Sequence, residues 1–576
     1  MVLFTGYMKI FAVIAVVSSL QALADTDFQW NKLEASDKLV WTPCYSGLQC
    51  SLLQVPLDYS SASAGTASIA IARYPANCTK SAYRGPILLN DGGPGGSGVD
   101  YVVEVGASIA TIIGEQFDIV GFDPRGVSYS TPTVSFFRTA AERALWIPPT
   151  SDIVFPALNQ TADAVAQQWA RAQILGQLAV SRNDGNYIQH ITTDNTARDM
   201  LRITQAFGFE KVQYWGVSYG SVLGSTFAAM FPDKVGRIVV DGVMPMDTWR
   251  PTPTKPYKRS SMAARRRDRR PVHLAPPSSI EVAANLDALF AAIEIQPVPV
   301  ITPVSYGVVD YTFLRNSVFH ALYSPYDSFV ALAQGLADLA KGNATTLYTA
   351  EEVPPFECNC NSTTPFHENG YEALVAISCG DMAVESDTVS QLQAYYASIQ
   401  AISSIADMYG NWRVVCSGWK LHREDSFKGI TFTPFLASCK LTHLLGPFGA
   451  PNTSFPLLVV GNTADPVTPI AGAKSTVDAF PGSVLLTIDA PGHTSLGAPS
   501  TCFYGYLRQY FQNGTLPPQS TICQPDGVLF PPPANGTTED VAPRGLNAWE
   551  PELIEGSRTL RKAVRRSMAR RLNHAV

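Results

Sequence analysis

Gly216-Val217-Ser218-Tyr219-Gly220 is the single Gly-x-Ser-x-Gly in the sequence. Such a pentapeptide arises by chance often enough that its setting decides what it is. An apolar run, Val212-Gln213-Tyr214-Trp215, precedes it. A stretch rich in small residues follows, with Ser221, Gly224, Ser225, Ala228 and Ala229. This setting predicts a strand, a sharp turn and a helix, with Ser218 presented on the turn as a nucleophile. Glycines flank a serine placed this way because a strained backbone and close packing leave no room for side chains. The near copy Gly126-Val127-Ser128-Tyr129-Ser130 lacks the last glycine and any following helix signal, and is set aside.

Such a nucleophile needs donors aimed at the oxygen that turns negative during attack on a carbonyl. One is the backbone N–H of the next residue, Tyr219. The other is expected from the loop Asn90-Asp91-Gly92-Gly93-Pro94-Gly95-Gly96-Ser97-Gly98, at Gly92 or Gly93. A phosphate-binding reading of this loop fails, because no Gly-Lys-Ser/Thr ending is present. An acid and a base are expected later in the chain, in the order Asp, His. Asp465, in Gly461-Asn462-Thr463-Ala464-Asp465-Pro466, follows one apolar run, and His493, in Pro491-Gly492-His493, follows the next. The carboxylate would fix the imidazole tautomer, and the imidazole would take the serine proton. Asp241 also ends an apolar run and competes with Asp465 for the acid role. Asp489, close to His493 along the chain, reads as a turn residue. In Asp123-Pro124-Arg125-Gly126, Asp123 and Arg125 are read as a structural ion pair beneath the site.

The elements that must carry these residues are short, continuous apolar runs, the pattern of strands buried on both faces of a parallel sheet. They are Pro86–Leu89, Phe117–Phe122, Val212–Gly216, Arg237–Val240, Pro456–Val460 and Ser483–Ile488. A helix is predicted from about Asp194 to Phe207, capped by Thr193 or Asp194 and stopped at Gly208. Alternating strands and helices give an α/β fold with a mostly parallel central sheet. The interval from Val240 to Pro456 is too long for a loop. With apolar helical segments around Val282–Ile295 and Glu372–Ile405, it reads as a mainly helical cap over the carboxyl ends of the strands.

Lys9, the apolar run Ile10–Val17 and the site Ala22-Leu23-Ala24 before Asp25 form a secretory signal, and the run is too short to span a bilayer. Ten cysteines and seven sequons, at Asn77, Asn159, Asn343, Asn361, Asn452, Asn513 and Asn535, agree with secretion. Disulfides are the expectation for all ten cysteines, with Cys44–Cys50 and Cys502–Cys523 closing short local loops. The organisation expected is a signal peptide at 1–24, a first core part at 25–245, a cap insertion at 246–440, a second core part at 441–530 and a tail at 531–576. Within the cap, 250–279 is Pro-rich and carries Arg265-Arg266-Arg267-Asp268-Arg269-Arg270. It reads as an exposed processing loop or as translated non-coding sequence. The basic tail from Ser557 to Val576 is compatible with a surface helix and reads as solvated. A net charge of −6 in 576 residues points to no nucleic-acid partner. No motif calls for a cofactor or metal, and no stable membrane association is expected.

Taken together, N-D-G-G-P-G-G-S-G, G-F-D-P-R-G, W-G-V-S-Y-G, N-T-A-D-P-V-T-P and P-G-H-T-S resemble the secreted tripeptidyl aminopeptidase-like serine hydrolases, relatives of the proline iminopeptidases. The resemblance runs from about Trp41 to Pro245 and from about Leu286 to Cys523. It implies an α/β-hydrolase fold and an exopeptidase acting on peptides with free N-termini. It implies Ser218, Asp465 and His493 as the triad, with Gly93 and Tyr219 at the oxyanion hole. An acidic cap residue between Glu351 and Asp387 would bind the substrate ammonium. An esterase or lipase on the same scaffold is the alternative, since a fold does not dictate its substrate.

Overall fold

The computed structural model describes residues 28–147, 157–246, 279–351, 369–382, 386–427, 429, 448–530 and 550–573. The proposed signal peptide, most of the basic stretch 250–279, Asn361, Asn535, Cys358, Cys360 and Cys439 lie outside them.

Among the described residues, ten strands form one sheet. They are β1 (Thr42–Cys44), β2 (Leu48–Pro56), β3 (Thr66–Tyr74), β4 (Pro86–Asn90), β5 (Asp118–Phe122), β6 (Val212–Val217), β7 (Val235–Asp241), β10 (Leu458–Ala464), β11 (Val484–Pro491) and β12 (Ile522–Cys523). A separate hairpin holds β8 (Val298–Ile301) and β9 (Tyr306–Val309). The sheet order is β1-β2-β3-β5-β4-β6-β7-β10-β11-β12. Pairings from β1 to β5 are antiparallel, and those from β5 through β4 to β12 are parallel. All six runs read from the sequence as buried strands are strands.

Apolar side chains alternate between the two faces, as a strand period of two requires. Leu88, Tyr214 and Val240 face one core with Met200, Ile203, Leu223 and Phe227 of the helices Thr193–Ala206 and Tyr219–Met230. Leu89, Trp215 and Val239 face the other, with Val102, Ile109, Phe503 and Leu507 of the helices Gly98–Ile113 and Thr501–Asn513. The order of the strands reverses around β4, whose neighbours are β5 and β6. A crevice opens outside the carboxyl ends of strands at such a switch point. The chain leaves β4 into the Gly-rich loop and leaves β6 into Ser218.

Between β7 and β10 the described residues hold helices and the β8–β9 hairpin. Phe290, Ile293, Val309, Leu314 and Leu347 build a small core of their own there. The apolar stretch read around Glu372–Ile405 is two helices, Gly370–Asp381 and Val389–Gln400. Thr388 and Gln391 start the second with a capping box.

The tail is helical, as its sequence allows, but part of it is buried rather than solvated. Residues Glu550–Asn573 form a helix, and Leu553, Leu560 and Val564 are buried in the core shared with Ile109 and Ile112. The apolar stripe is thin and diluted by arginines, so the segment reads as solvated from composition. The cysteine expectation holds in part. Disulfides join Cys44 to Cys50, Cys379 to Cys416 and Cys502 to Cys523, and Cys78 is exposed with no disulfide partner among the described residues. If the tail helix is part of the core, Leu560→Ala should cost about 2–5 kcal/mol in denaturant unfolding. An unchanged midpoint would show the helix to be dispensable.

Candidate active site

Ser218 stands between β6 and the helix Tyr219–Met230 with φ 57° and ψ −122°. L side chains avoid this region, and holding one there costs about 1–3 kcal/mol. The surroundings explain both flanking glycines. A Cβ on Gly216 would stand 2.2 Å from the Tyr214 hydroxyl and 2.4 Å from the Gly220 carbonyl oxygen. A Cβ on Gly220 would stand 2.8 Å from the Asn90 carbonyl oxygen. The Tyr214 hydroxyl donates to the Gly220 carbonyl at 2.8 Å, and the Ser218 N–H donates to the Asp241 carbonyl at 2.9 Å. These contacts hold the turn from both sides.

The Gly-rich loop lies directly on the turn. A Cβ on Gly92 would meet Ser218 Cβ at 2.9 Å and the Tyr219 nitrogen at 3.2 Å. Gly92 donates its own N–H to Asn90 Oδ1 at 3.1 Å. Of the two loop glycines, Gly93 is therefore the one whose N–H has no partner among the described residues. Gly92 supplies the close approach.

Asp465 and His493 meet. His493 Nδ1 lies 3.0 Å from each Asp465 carboxylate oxygen. The carboxylate also accepts from the backbone N–H groups of Val467 and Thr468 at 2.8 Å, the Thr468 hydroxyl at 2.8 Å and the Thr494 N–H at 3.0 Å. Burial alone would raise this carboxyl. The His493 imidazole and the N–H donors more than offset it and hold the group below the usual carboxylate range. Asn462 Nδ2 braces the histidine loop by donating to the Gly492 and Thr494 carbonyls at 2.8 and 2.7 Å. With Nδ1 turned to the carboxylate, Nε2 is the remaining ring nitrogen, and it is buried without a hydrogen-bond partner among the described residues.

Asp241 makes different contacts. Its carboxylate accepts from the Ser495 N–H at 2.9 Å, the Ser495 hydroxyl at 2.5 Å and Trp215 Nε1 at 3.3 Å. Together with its bond to the Ser218 N–H, this makes Asp241 a tie between the serine turn and the histidine loop. The Asp123–Arg125 pair is not formed. Arg125 binds Asp199 through two bonds of 2.6 and 2.7 Å. Asp123 instead accepts from Ser97 Oγ and from the N–H groups of Val99 and Tyr129. Asp199 sits one helix away and far along the chain, so adjacency pointed to the wrong partner. The near copy at Ser128 is a turn tied by its N–H to Asn369 Oδ1 at 2.9 Å.

Sequence reasoning placed the inserted segment over the carboxyl ends of the strands but did not single out the residue that touches His493. His493 donates its N–H to the Tyr323 carbonyl at 2.9 Å, and the two rings stand edge-on at 5.0 Å. The described acidic side chains between 351 and 387 all have partners. Glu372 pairs with Arg143, Glu351 with His320 and Asp387 with Arg413, while Asp381 accepts from Thr193.

Residues 85–266 match the family described as alpha/beta hydrolase fold, and residues 403–523 match the family described as TAP-like protein. The chain has the α/β-hydrolase fold. This hydrolase is 27% identical over 508 residues to serine protease Hip1 of Mycobacterium tuberculosis, covering 84% of this chain and 90% of that one. It is 26% identical over 520 residues to the tripeptidyl aminopeptidase of Streptomyces lividans, covering 84% and 85%. It is 29% identical over 493 residues to carboxylesterase B of M. tuberculosis, covering 83% and 86%. The hydrolase is thus a serine hydrolase with peptidases among its relatives.

Burial pushes the Asp241 carboxyl up to about 6, against the Ser495 and Trp215 hydrogen bonds and the nearby His493. A carboxyl raised on folding favours the native state fully below its unfolded value of about 4, and that contribution fades as pH rises through the folded value. Thermal melts of the hydrolase should therefore lose ground to those of Asp241→Asn between about pH 4 and 6. A difference constant across that range would contradict this placement of the charge.

Proposed function

We propose that the hydrolase is a secreted serine exopeptidase that cleaves peptide bonds near free N-termini, of the tripeptidyl aminopeptidase kind. The observation that carries the reading is the bonded Asp465–His493 pair on the loops after β10 and β11, tied through Asp241 to the strained Ser218 turn after β6. Ser218 Oγ attacks the scissile carbonyl while His493 Nε2 takes its proton. Asp465, kept ionised by its donors, stabilises the imidazolium that forms. The N–H groups of Gly93 and Tyr219 receive the developing oxyanion. The imidazolium then protonates the leaving amine, and water activated by His493 releases the acyl group from Ser218.

The peptide substrate rests on the relatives named as protease and tripeptidyl aminopeptidase. Secretion rests on the N-terminal segment and agrees with three disulfides. We propose the cap at 246–440 as the part that limits how much peptide can enter. Ester hydrolysis is the second reading, favoured by the relative named carboxylesterase B.

The test is product analysis by mass spectrometry on matched peptides with free and acetylated N-termini. Short N-terminal fragments should come from the free peptides only. Equal cleavage of both sets would exclude an aminopeptidase, and turnover of short-chain esters alone would favour the esterase. Ser218→Ala should lower turnover by about 10⁴-fold or more, and unchanged turnover would remove Ser218 from the reaction.

A further inference from the structure

The loop carrying His493 is built around a piece of the inserted segment. Tyr323 closes the helix Tyr311–Tyr323, and Pro325 opens the helix Pro325–Leu339. The His493 N–H donates to the Tyr323 carbonyl at 2.9 Å. A Cβ on Gly497 would stand 2.2 Å from that same carbonyl oxygen, and a Cβ on Gly492 would stand 3.1 Å from Pro325 Cδ. The two glycines either side of His493 thus leave room for the residues either side of Ser324. No side chain fits between the loops.

The ring of Tyr323 completes the contact. It stands at 81° to the imidazole with centroids 5.0 Å apart, and Phe319 backs it edge-on at 5.4 Å. Its hydroxyl has no hydrogen-bond partner among the described residues, so the ring acts here by its shape and its π face. The turn itself is braced. Ser328 Oγ donates to the Ala321 and Ser324 carbonyls at 2.8 Å. Arg561 of the tail helix donates to Asp327 Oδ1 at 2.8 Å and to the Tyr326 carbonyl at 3.0 Å. Asp465 holds the imidazole through Nδ1, and Tyr323 holds it through the backbone and one side of the ring.

We propose that Tyr323 is a positioning residue for His493, so that the proton acceptor takes its working orientation only with the inserted segment docked. This rests on the reading of His493 as the base. An imidazole displaced by even 1 Å can cost about 10²-fold in rate. Tyr323 acts through His493, so it should affect steps that need proton transfer from Ser218 more than substrate affinity.

The test compares Tyr323→Leu and Tyr323→Phe with the parent enzyme. Three quantities are read on the full chain: kcat and KM on a cleaved peptide, and the rate at which a fluorophosphonate labels Ser218. Tyr323→Leu should lower kcat and the labelling rate together by about 10-fold or more, with KM within about threefold. Tyr323→Phe, which keeps the ring, should restore both to within about threefold. If Tyr323→Leu keeps kcat and labelling within twofold, or raises KM alone, the positioning role is wrong. If Tyr323→Leu does not fold, Phe319→Leu removes the backing ring and carries the same expected and contrary results. Ser218→Ala and His493→Ala serve as controls. Activity surviving in them would sink the underlying mechanism rather than the role of Tyr323.

Discussion

Ser218 sits in a backbone conformation that its own side chain disfavours, and much of the molecule is arranged to keep it there. The constraint is local in origin and global in consequence. Gly216 and Gly220 remove the side chains that would collide beneath the turn, and the Tyr214 hydroxyl and Asp241 carbonyl bind it from either side. Those partners stay in place because β6 is buried along its whole length, and β7 at every residue but Arg237, in the middle of a ten-stranded sheet. Strain of this kind persists only where the surroundings over-determine it. The switch point at β4 then brings the Gly-rich loop against the same turn.

The second half of the site depends on charge rather than strain. Asp465 would not stay ionised in a buried setting without its donors. Burial favours the neutral form, and the imidazole, the backbone N–H groups and the Thr468 hydroxyl keep the carboxylate ionised. Asp241 shows the other outcome. It is equally buried, and its hydroxyl, amide and indole donors leave it raised rather than lowered. Asp241 ends β7 and Asp465 follows the neighbouring strand β10, and the two differ chiefly in what surrounds them. That contrast separates their roles better than their places along the chain do.

Much of the fold was legible because its signals are local. Strands buried on both faces write themselves as continuous apolar runs, as Ile87–Leu89 and Ile238–Val240 do. The serine turn and the Gly-rich loop were legible because their glycines answer to steric limits within a few residues. What stayed hidden involves partners far apart in sequence. Arg125 takes Asp199 rather than the nearby Asp123, 74 residues being bridged by the fold. The contact of Tyr323 with His493 leaves no trace in the sequence, since it rests on a carbonyl and a ring at the end of an ordinary helix. β2 and β3 are antiparallel and partly exposed on one side, so their apolar residues are interrupted. The tail helix hides its few buried leucines among arginines.

The central claim is that Ser218 is a nucleophile activated by His493. Reaction with a fluorophosphonate, followed by digestion and mass spectrometry, tests it without any assumption about the substrate. The account predicts one phosphonylated serine, Ser218, formed rapidly in the parent enzyme and slowed by about 10³-fold or more in His493→Ala. Labelling at another serine, or labelling of Ser218 at the same rate without His493, would contradict it.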